Sequence, residues 1–194
     1  MRIIGITGKT GAGKTAVCEK LCEHGFFHLD ADKVAKEVLA ESPSVIKKLC
    51  AEFGDGILNG DGTLNSKELS AAAFRTKKTA ERLDDIVYPA VVKEIKKIVK
   101  EKSAENFSGI IIDAIGLFES GADKLCDFTV TVTADEKTRL KRITARDALS
   151  KEDALKRIRA QKDDGFFAER SDLVLENNGK NDLDTLVKKV LNYE

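Results

Sequence analysis

Eight residues near the start of the chain, "GKTGAGKT" from Gly8 to Thr15, limit its fold more than any other stretch. The pattern is G-x-x-x-x-G-K-[ST], with Gly8, Gly13, Lys14 and Thr15 at the fixed places. Glycines let a backbone curl until successive N–H groups point inward, and this makes a concave seat for phosphate oxygens. A lysine at this place reaches the outer phosphates, and the threonine hydroxyl ligates Mg2+. The loop residues Gly8, Gly11, Ala12, Gly13, Lys14, Thr15 and Ala16 are thus the candidate seat of a nucleoside triphosphate. Such a loop joins a buried strand to a helix, whose N-terminal dipole also favours an anion. Both flanks comply. Arg2 to Thr7, with Ile3, Ile4 and Ile6, reads as a short strand, and Thr15 to Glu23 reads as a helix ended near Gly25.

Beyond the loop, strand and helix patterns alternate. Phe26 to Leu29 is a second strand, followed by "DAD" at Asp30 to Asp32. Strand character returns at Gly109 to Ile115, Asp127 to Thr133 and Ser171 to Asn177. Helical patterns fill Asp135 to Asp147, Ser150 to Gln161 and Leu183 to Leu191, and "SKED" at Ser150 has capping-box form. The alternation predicts an α/β fold with a parallel sheet covered on both faces. One region interrupts it. From about residue 33 to 102 the patterns are all helical: Lys33 to Ala40, Ser44 to Phe53, Ser66 to Phe74 and Lys77 to Lys102. Pro89 is expected to break or start a helix within the last of these. A phosphate loop with a helical insertion suggests a small-molecule kinase rather than a bare switch NTPase.

Composition narrows the class. The chain has 194 residues, enough for one domain with an inserted subdomain. Its 33 basic and 33 acidic residues cancel, so nothing global points to nucleic acid or a membrane surface. Four cysteines (Cys18, Cys22, Cys50, Cys126) form no C-x-x-C pair, and Cys18 and Cys22, one helical turn apart, read as small apolar packing rather than metal ligands. No signal peptide or long apolar run is legible, and a reduced, cytoplasmic enzyme is the expectation.

Several charged residues could carry chemistry. Asp30 and Asp32 follow a strand, so they are expected at the carboxyl edge of the sheet, sharing a side by strand alternation. A carboxylate there accepts a proton from an attacking hydroxyl or organises Mg2+; the plainer alternative is capping of the helix that follows. Asp113 ends an apolar strand, where a second Mg2+-organising group belongs, or simply a turn former. Arg139, Arg142 and Arg146 are spaced i, i+3, i+7 and span an arc of roughly 60° on one helix face. They form either a clamp over phosphates or a solvated basic face. Arg157 and Lys162 could extend a basic lid that Asp163 and Asp164 dilute. His24 and His28 have no partner carboxylate at ligand spacing and read as structural.

Taken together, the motifs resemble the dephospho-coenzyme A kinase family, colinearly over nearly the whole chain. "IIGITGKTGAGKT" is similar to the family's opening strand and loop, and "LDADKVAKEV" to its D-A-D and following helix. "FGDGILNGDGTLNSKEL", "IIIDAIGLFESG", "RLKRITARDALSKEDALKRIRAQ" and "SDLVLENNG" resemble its later signatures in the same order. The resemblance implies a P-loop NTPase fold of the nucleoside-monophosphate-kinase type, three-layer α/β/α. It implies a core of residues 1–32 and 104–194, a helical acceptor-binding insertion over about 33–103 and a lid over about 139–168. It implies ATP- and Mg2+-dependent phosphorylation of the ribose 3′-hydroxyl of dephospho-coenzyme A, the last step of coenzyme A synthesis. By motif position Asp32 would be the catalytic base. Lys14 would act on phosphates and Thr15 on Mg2+, Arg142 and Arg146 would act near ATP, and Asp30, Asp32 and Asp113 would meet the acceptor. The expected partners are these two small molecules, with no nucleic acid and no membrane, and a monomer is favoured.

Six residues depart from the family pattern: Lys9 and Thr10 in the loop, Tyr88 before Pro89, Ile115 and Gly116 before the F-E pair, and Phe167 in the lid. They leave open a kinase of the same fold acting on another small alcohol or nucleotide. A nucleotide-binding regulator without transfer is the further alternative. Retention of Lys14, Thr15, Asp32 and Asp113 argues against it, because a binder needs no acceptor-side base.

Overall fold

Five strands pair in parallel, β1 (Arg2–Thr7), β2 (Phe26–Asp30), β3 (Gly109–Asp113), β4 (Phe128–Thr133) and β5 (Leu173–Glu176), in the order β2-β3-β1-β4-β5. The computed structural model describes residues 1–179 and 182–193. Helices α1 (Lys14–Cys22), α6 (Glu136–Asp147), α7 (Lys151–Arg159), α8 (Asp164–Ala168) and α9 (Leu183–Leu191) accompany the sheet. Between β2 and β3 lie α2 (Ala31–Glu41), α3 (Pro43–Phe53), α4 (Ser66–Ala73) and α5 (Lys77–Lys102). The chain divides into two compact units, residues 1–30 with 99–194, and residues 31–98.

In the first unit the sheet register sorts side chains by face. Ile4 pairs with Ile111 and Phe128, Ile6 pairs with Val130, and Leu175 lies opposite Val132. These residues are buried with Val17, Cys18 and Leu21 of α1 and Leu186, Val187 and Val190 of α9 in one cluster. Burying a side chain of this size stabilises by about 1.5–3 kcal/mol, so the cluster fixes where α1, and hence the loop before it, meets the sheet. On the opposite face Gly5 leaves room for Leu117 and Cys126: a Cβ there would stand 2.8 Å from each. The sheet changes winding direction at β1, whose loop leads to α1 and β2 on one side while β4 and β5 extend the other. In open α/β sheets the crevice at the carboxyl ends of such strands is where ligands bind.

The second unit is helical apart from a turn of 3-10 helix at Asp55–Ile57 and a short antiparallel bridge between Leu58 and Leu64. Asn65 starts α4 by accepting the N–H groups of Lys67 and Glu68. The break expected at Pro89 does not occur; α5 runs through it. Proline removes the hydrogen bond to the carbonyl four residues back, here that of Asp85. Both residues are exposed, so water can take the bond, while the buried stripe Val87, Val91 and Ile95 continues on the other side of the helix. No helix among the described residues is long and apolar enough to cross a membrane.

Candidate active site

Three backbone facts build the loop. Gly8 has φ +132°, and a Cβ there would lie 2.1 Å from the Val132 carbonyl oxygen, so only glycine lets β1 pass β4 at this point. Gly13 has φ +95°, and a Cβ would lie 2.3 Å from Asn177 Nδ2. No side chain caps α1, so the N–H groups of its first turn are left to an incoming anion. Lys14 Nζ donates to the Gly8 carbonyl at 3.3 Å, which curls the ammonium back over the loop. Thr15 is exposed in that first turn, and Ala12 is buried beneath the loop. This glycine-lined seat fits phosphate oxygens, and the Thr15 hydroxyl is the type of oxygen ligand that a Mg2+ held between phosphates takes.

The loop is held from behind by two side chains. Arg142, on α6, donates to the Gly11 and Ala12 carbonyls at 3.2 and 3.0 Å. It also donates to Asn177 Oδ1 at 3.2 Å, and Asn177 Nδ2 donates to the same Ala12 carbonyl at 3.1 Å. Carbonyls turned outward are the counterpart of amides turned inward. Fixing the carbonyls therefore orients the amides, a positioning contribution that needs no contact with a phosphate.

The other two arginines of the expected face go elsewhere. Arg139 is only 4 % exposed and pairs with Asp164 at 3.5 Å. Arg146 is exposed and bidentate on its neighbour Asp147, at 2.7 and 2.9 Å, and Arg157 of α7 reaches the same carboxylate at 2.7 Å. The Arg146 hydrogen bond holds Asp147 below the usual carboxylate range and raises Arg146. The departing loop residues meet the segment after α7. Lys9 Nζ lies 3.8 Å from Asp164, and the Thr10 N–H donates to Gln161 Oε1 at 2.8 Å. Phe167 is buried in α8, and with Ile115, Glu119, Ala160, Gln161 and Lys162 it lines a cavity of about 310 Å³. Two departures from the family pattern, Ile115 and Phe167, thus share one cavity wall.

At the carboxyl edge, register sets Asp30 directly opposite Asp113. His28, two residues before Asp30, lies on the same face, and its Nε2 is 3.3 Å from Asp113 Oδ2. That hydrogen bond raises the imidazole against the opposing effect of burial. Cys18 of α1 is packed beside them, fully buried, and burial followed by the Asp113 charge pushes its thiol well above the ordinary range. Cys22, expected to pack likewise, is exposed. Asp32 does not continue the strand. The chain turns helical at Ala31, so Asp32 occupies the first turn of α2 in the second unit, and strand alternation does not relate it to Asp30.

Sequence reasoning missed Asn177, Gln161 and the partner of His28. Asn177 reads as the end of a strand and Gln161 as the end of a helix. Asp113 is 85 residues from His28 and arrives only through the pairing of β2 with β3. The one signal for Asn177 was its place in the "SDLVLENNG" signature.

The family model for dephospho-CoA kinase matches residues 2–182. A curated dephospho-CoA kinase of Fusobacterium nucleatum is 39 % identical over 188 residues, covering 97 % of this chain and 94 % of that one. Among solved structures, a Thermus thermophilus protein superposes with a TM-score of 0.79 at 30 % identity, covering 98 % of this chain and 96 % of that chain. The dephospho-CoA kinase of Campylobacter jejuni superposes with a TM-score of 0.67 at 25 % identity over 97 % and 94 % of the two chains. The phosphate loop, the parallel sheet and these matches over almost the full length agree: the chain belongs to the dephospho-CoA kinase family.

Proposed function

We propose that this chain transfers the terminal phosphoryl group of ATP to the ribose 3′-hydroxyl of dephospho-coenzyme A, giving coenzyme A and ADP. The observation that carries the reading is the uncapped start of α1 behind a glycine loop braced by Arg142 and Asn177, in a chain of this family. The loop amides and Lys14 hold the phosphates. Thr15, with Asp113 as a second organising group, would hold Mg2+, which would supply charge neutralisation at the phosphates. Asp32 accepts the proton of the attacking hydroxyl as its oxygen bonds to phosphorus and the bond to the ADP oxygen breaks. Asp30 and Asp113 orient the acceptor, residues 33–103 supply its binding surface, and Arg146 belongs to a lid over 139–168 that excludes water. A monomer in the cytoplasm is the favoured form, acting on these two small molecules without nucleic acid or membrane.

The test is ADP release with ATP and Mg2+, in the presence and absence of dephospho-coenzyme A. Acceptor-dependent ADP with coenzyme A as product supports the reading. ATP binding without acceptor-dependent turnover would overturn it and move the acceptor to another alcohol, with Tyr88, Ile115, Gly116 and Phe167 the first residues to revert, or the protein to a regulatory role.

A further inference from the structure

We propose that Cys18, His28 and Asp113 form a binding site for Zn2+, with three protein ligands and a fourth position open to water or an inhibitor. The three side chains come from α1, β2 and β3 and are brought together by the first unit alone. One ligand atom from each lies within 4.8 Å of the others. Thiolate, imidazole and carboxylate are the donor set Zn2+ takes, and three protein ligands with an open place is a known arrangement for it.

The geometry is close to complete. Two N/O ligands about 2.0–2.1 Å from a tetrahedral Zn2+ stand roughly 3.3 Å apart, and His28 Nε2 and Asp113 Oδ2 are already at 3.3 Å. The Cys18 sulfur must close from at most 4.8 Å to roughly 3.6 Å from its neighbours, a side-chain adjustment. Parallel register holds His28 and Asp113 diagonally on one face, and α1 is fixed on that face by the apolar cluster, so the ligands are set by rigid elements. His28 and Asp113 are partly exposed, which gives the ion a way in, while Cys18 is fully buried.

Charge supports the assignment. Burial holds the Cys18 thiol in its protonated form. Zn2+ binding would release that proton and form the Zn–S bond. The thiolate and carboxylate together carry two negative charges, which the ion cancels, leaving a neutral cluster in a half-buried place. The consequence for turnover rests on the reading of Asp113 given above: Zn2+ in this site takes the Asp113 carboxylate away from the acceptor edge and inhibits.

The experiment titrates the reduced, chelator-stripped full chain with Co2+ in excess Mg2+, then displaces it with Zn2+. One equivalent should bind, with the intense visible bands of tetrahedral Co2+ and a sulfur-to-cobalt charge-transfer band. Cys18→Ser should abolish the charge-transfer band. His28→Asn, at a partly exposed position that does not threaten folding, should weaken Zn2+ by more than the ~10–100-fold typical of losing an outer-shell partner. Should Cys18→Ser fail to fold, His28→Asn alone decides. A faint octahedral spectrum, a charge-transfer band that survives Cys18→Ser, or unchanged Zn2+ affinity in His28→Asn would overturn the site. Zn2+ should also slow wild-type turnover more than His28→Asn turnover, each relative to its own metal-free rate. Binding is read without turnover, so loss of the site and loss of the proposed reaction are told apart.

Discussion

Asn177 joins three parts of the phosphate loop's support. Its amide bonds the Ala12 carbonyl and the Arg142 guanidinium, and its own backbone N–H is held by Thr133 at 2.8 Å. Asn177→Ala removes both side-chain bonds and leaves a buried carbonyl and a guanidinium short of a partner. Buried polar groups left this way cost about 1–3 kcal/mol, which for a chain of this size lowers the melting temperature by roughly 2–12 °C. ATP affinity should fall with it, because the loop amides lose their orientation. Calorimetry and ATP titration check both. Unchanged melting and affinity would show that Arg142 braces the loop alone.

At the scale of elements, the turn between α6 and α7 joins two features of opposite sign. Ala148 ends α6 at φ +51°, the one non-glycine residue with positive φ among those described. That conformation costs an L-residue about 1–2 kcal/mol and glycine almost nothing. Ala148→Gly should therefore raise the melting temperature, by about 2–4 °C per kcal/mol relieved; a lower one would mean that unfolded-chain entropy outweighs the strain. Asp147, one residue earlier, ties Arg146 to Arg157. Its pKa is lowered on folding, so its contribution is present above the ordinary carboxylate value and lost as pH falls through the lower folded value. The stability gap between wild type and Asp147→Asn should be present at neutral pH, shrink in acid below the ordinary carboxylate range, and shrink with salt because both arginine partners are exposed. Thermal melts across pH and ionic strength measure it.

The same scale shows what the residues made legible. Strong periodicity located β1, α5 and α9 to the residue, because long amphipathic or wholly apolar runs leave one solution. Pro89 misled because a proline rule written for the helix interior assumes that no water replaces the lost bond. The Asp30–Asp32 pair misled because a strand can pass into a helix without a loop between, which ends the period of two. The five-residue α8 was too short to show a period, and its start is set by one bond, Phe166 N–H to Asp163 Oδ1 at 2.7 Å. Contacts such as His28 with Asp113 and Thr10 with Gln161 depend on which strands become neighbours, and no local spacing contains that.

At the scale of the whole molecule, the proposed chemistry is divided between the two units. The residues proposed to hold the phosphates, Gly8 to Thr15, lie in residues 1–30 with 99–194, whereas Asp32 lies in residues 31–98. A substitution should then reveal its unit by which constant it moves. Lys14→Ala removes a charge that the phosphates meet in both the bound and reacting states, so ATP affinity and turnover should fall together. Asp32→Ala removes a group needed only as the hydroxyl proton leaves. Turnover should drop by about 10²–10⁴-fold, the range for a positioned general base, while the ATP dissociation constant barely moves. Equilibrium ATP binding and steady-state rates for both variants make the comparison. Parallel losses in the two variants would mean that Asp32 holds metal or structure and that the base lies elsewhere. Intact turnover in Lys14→Ala would reject the loop as the phosphate seat. The separation expected here follows from the sequence in one further way: the helical insertion enters the sheet's alternation directly after β2, so Asp32, the proposed base, is carried by the first turn of the inserted unit rather than by the strand that precedes it.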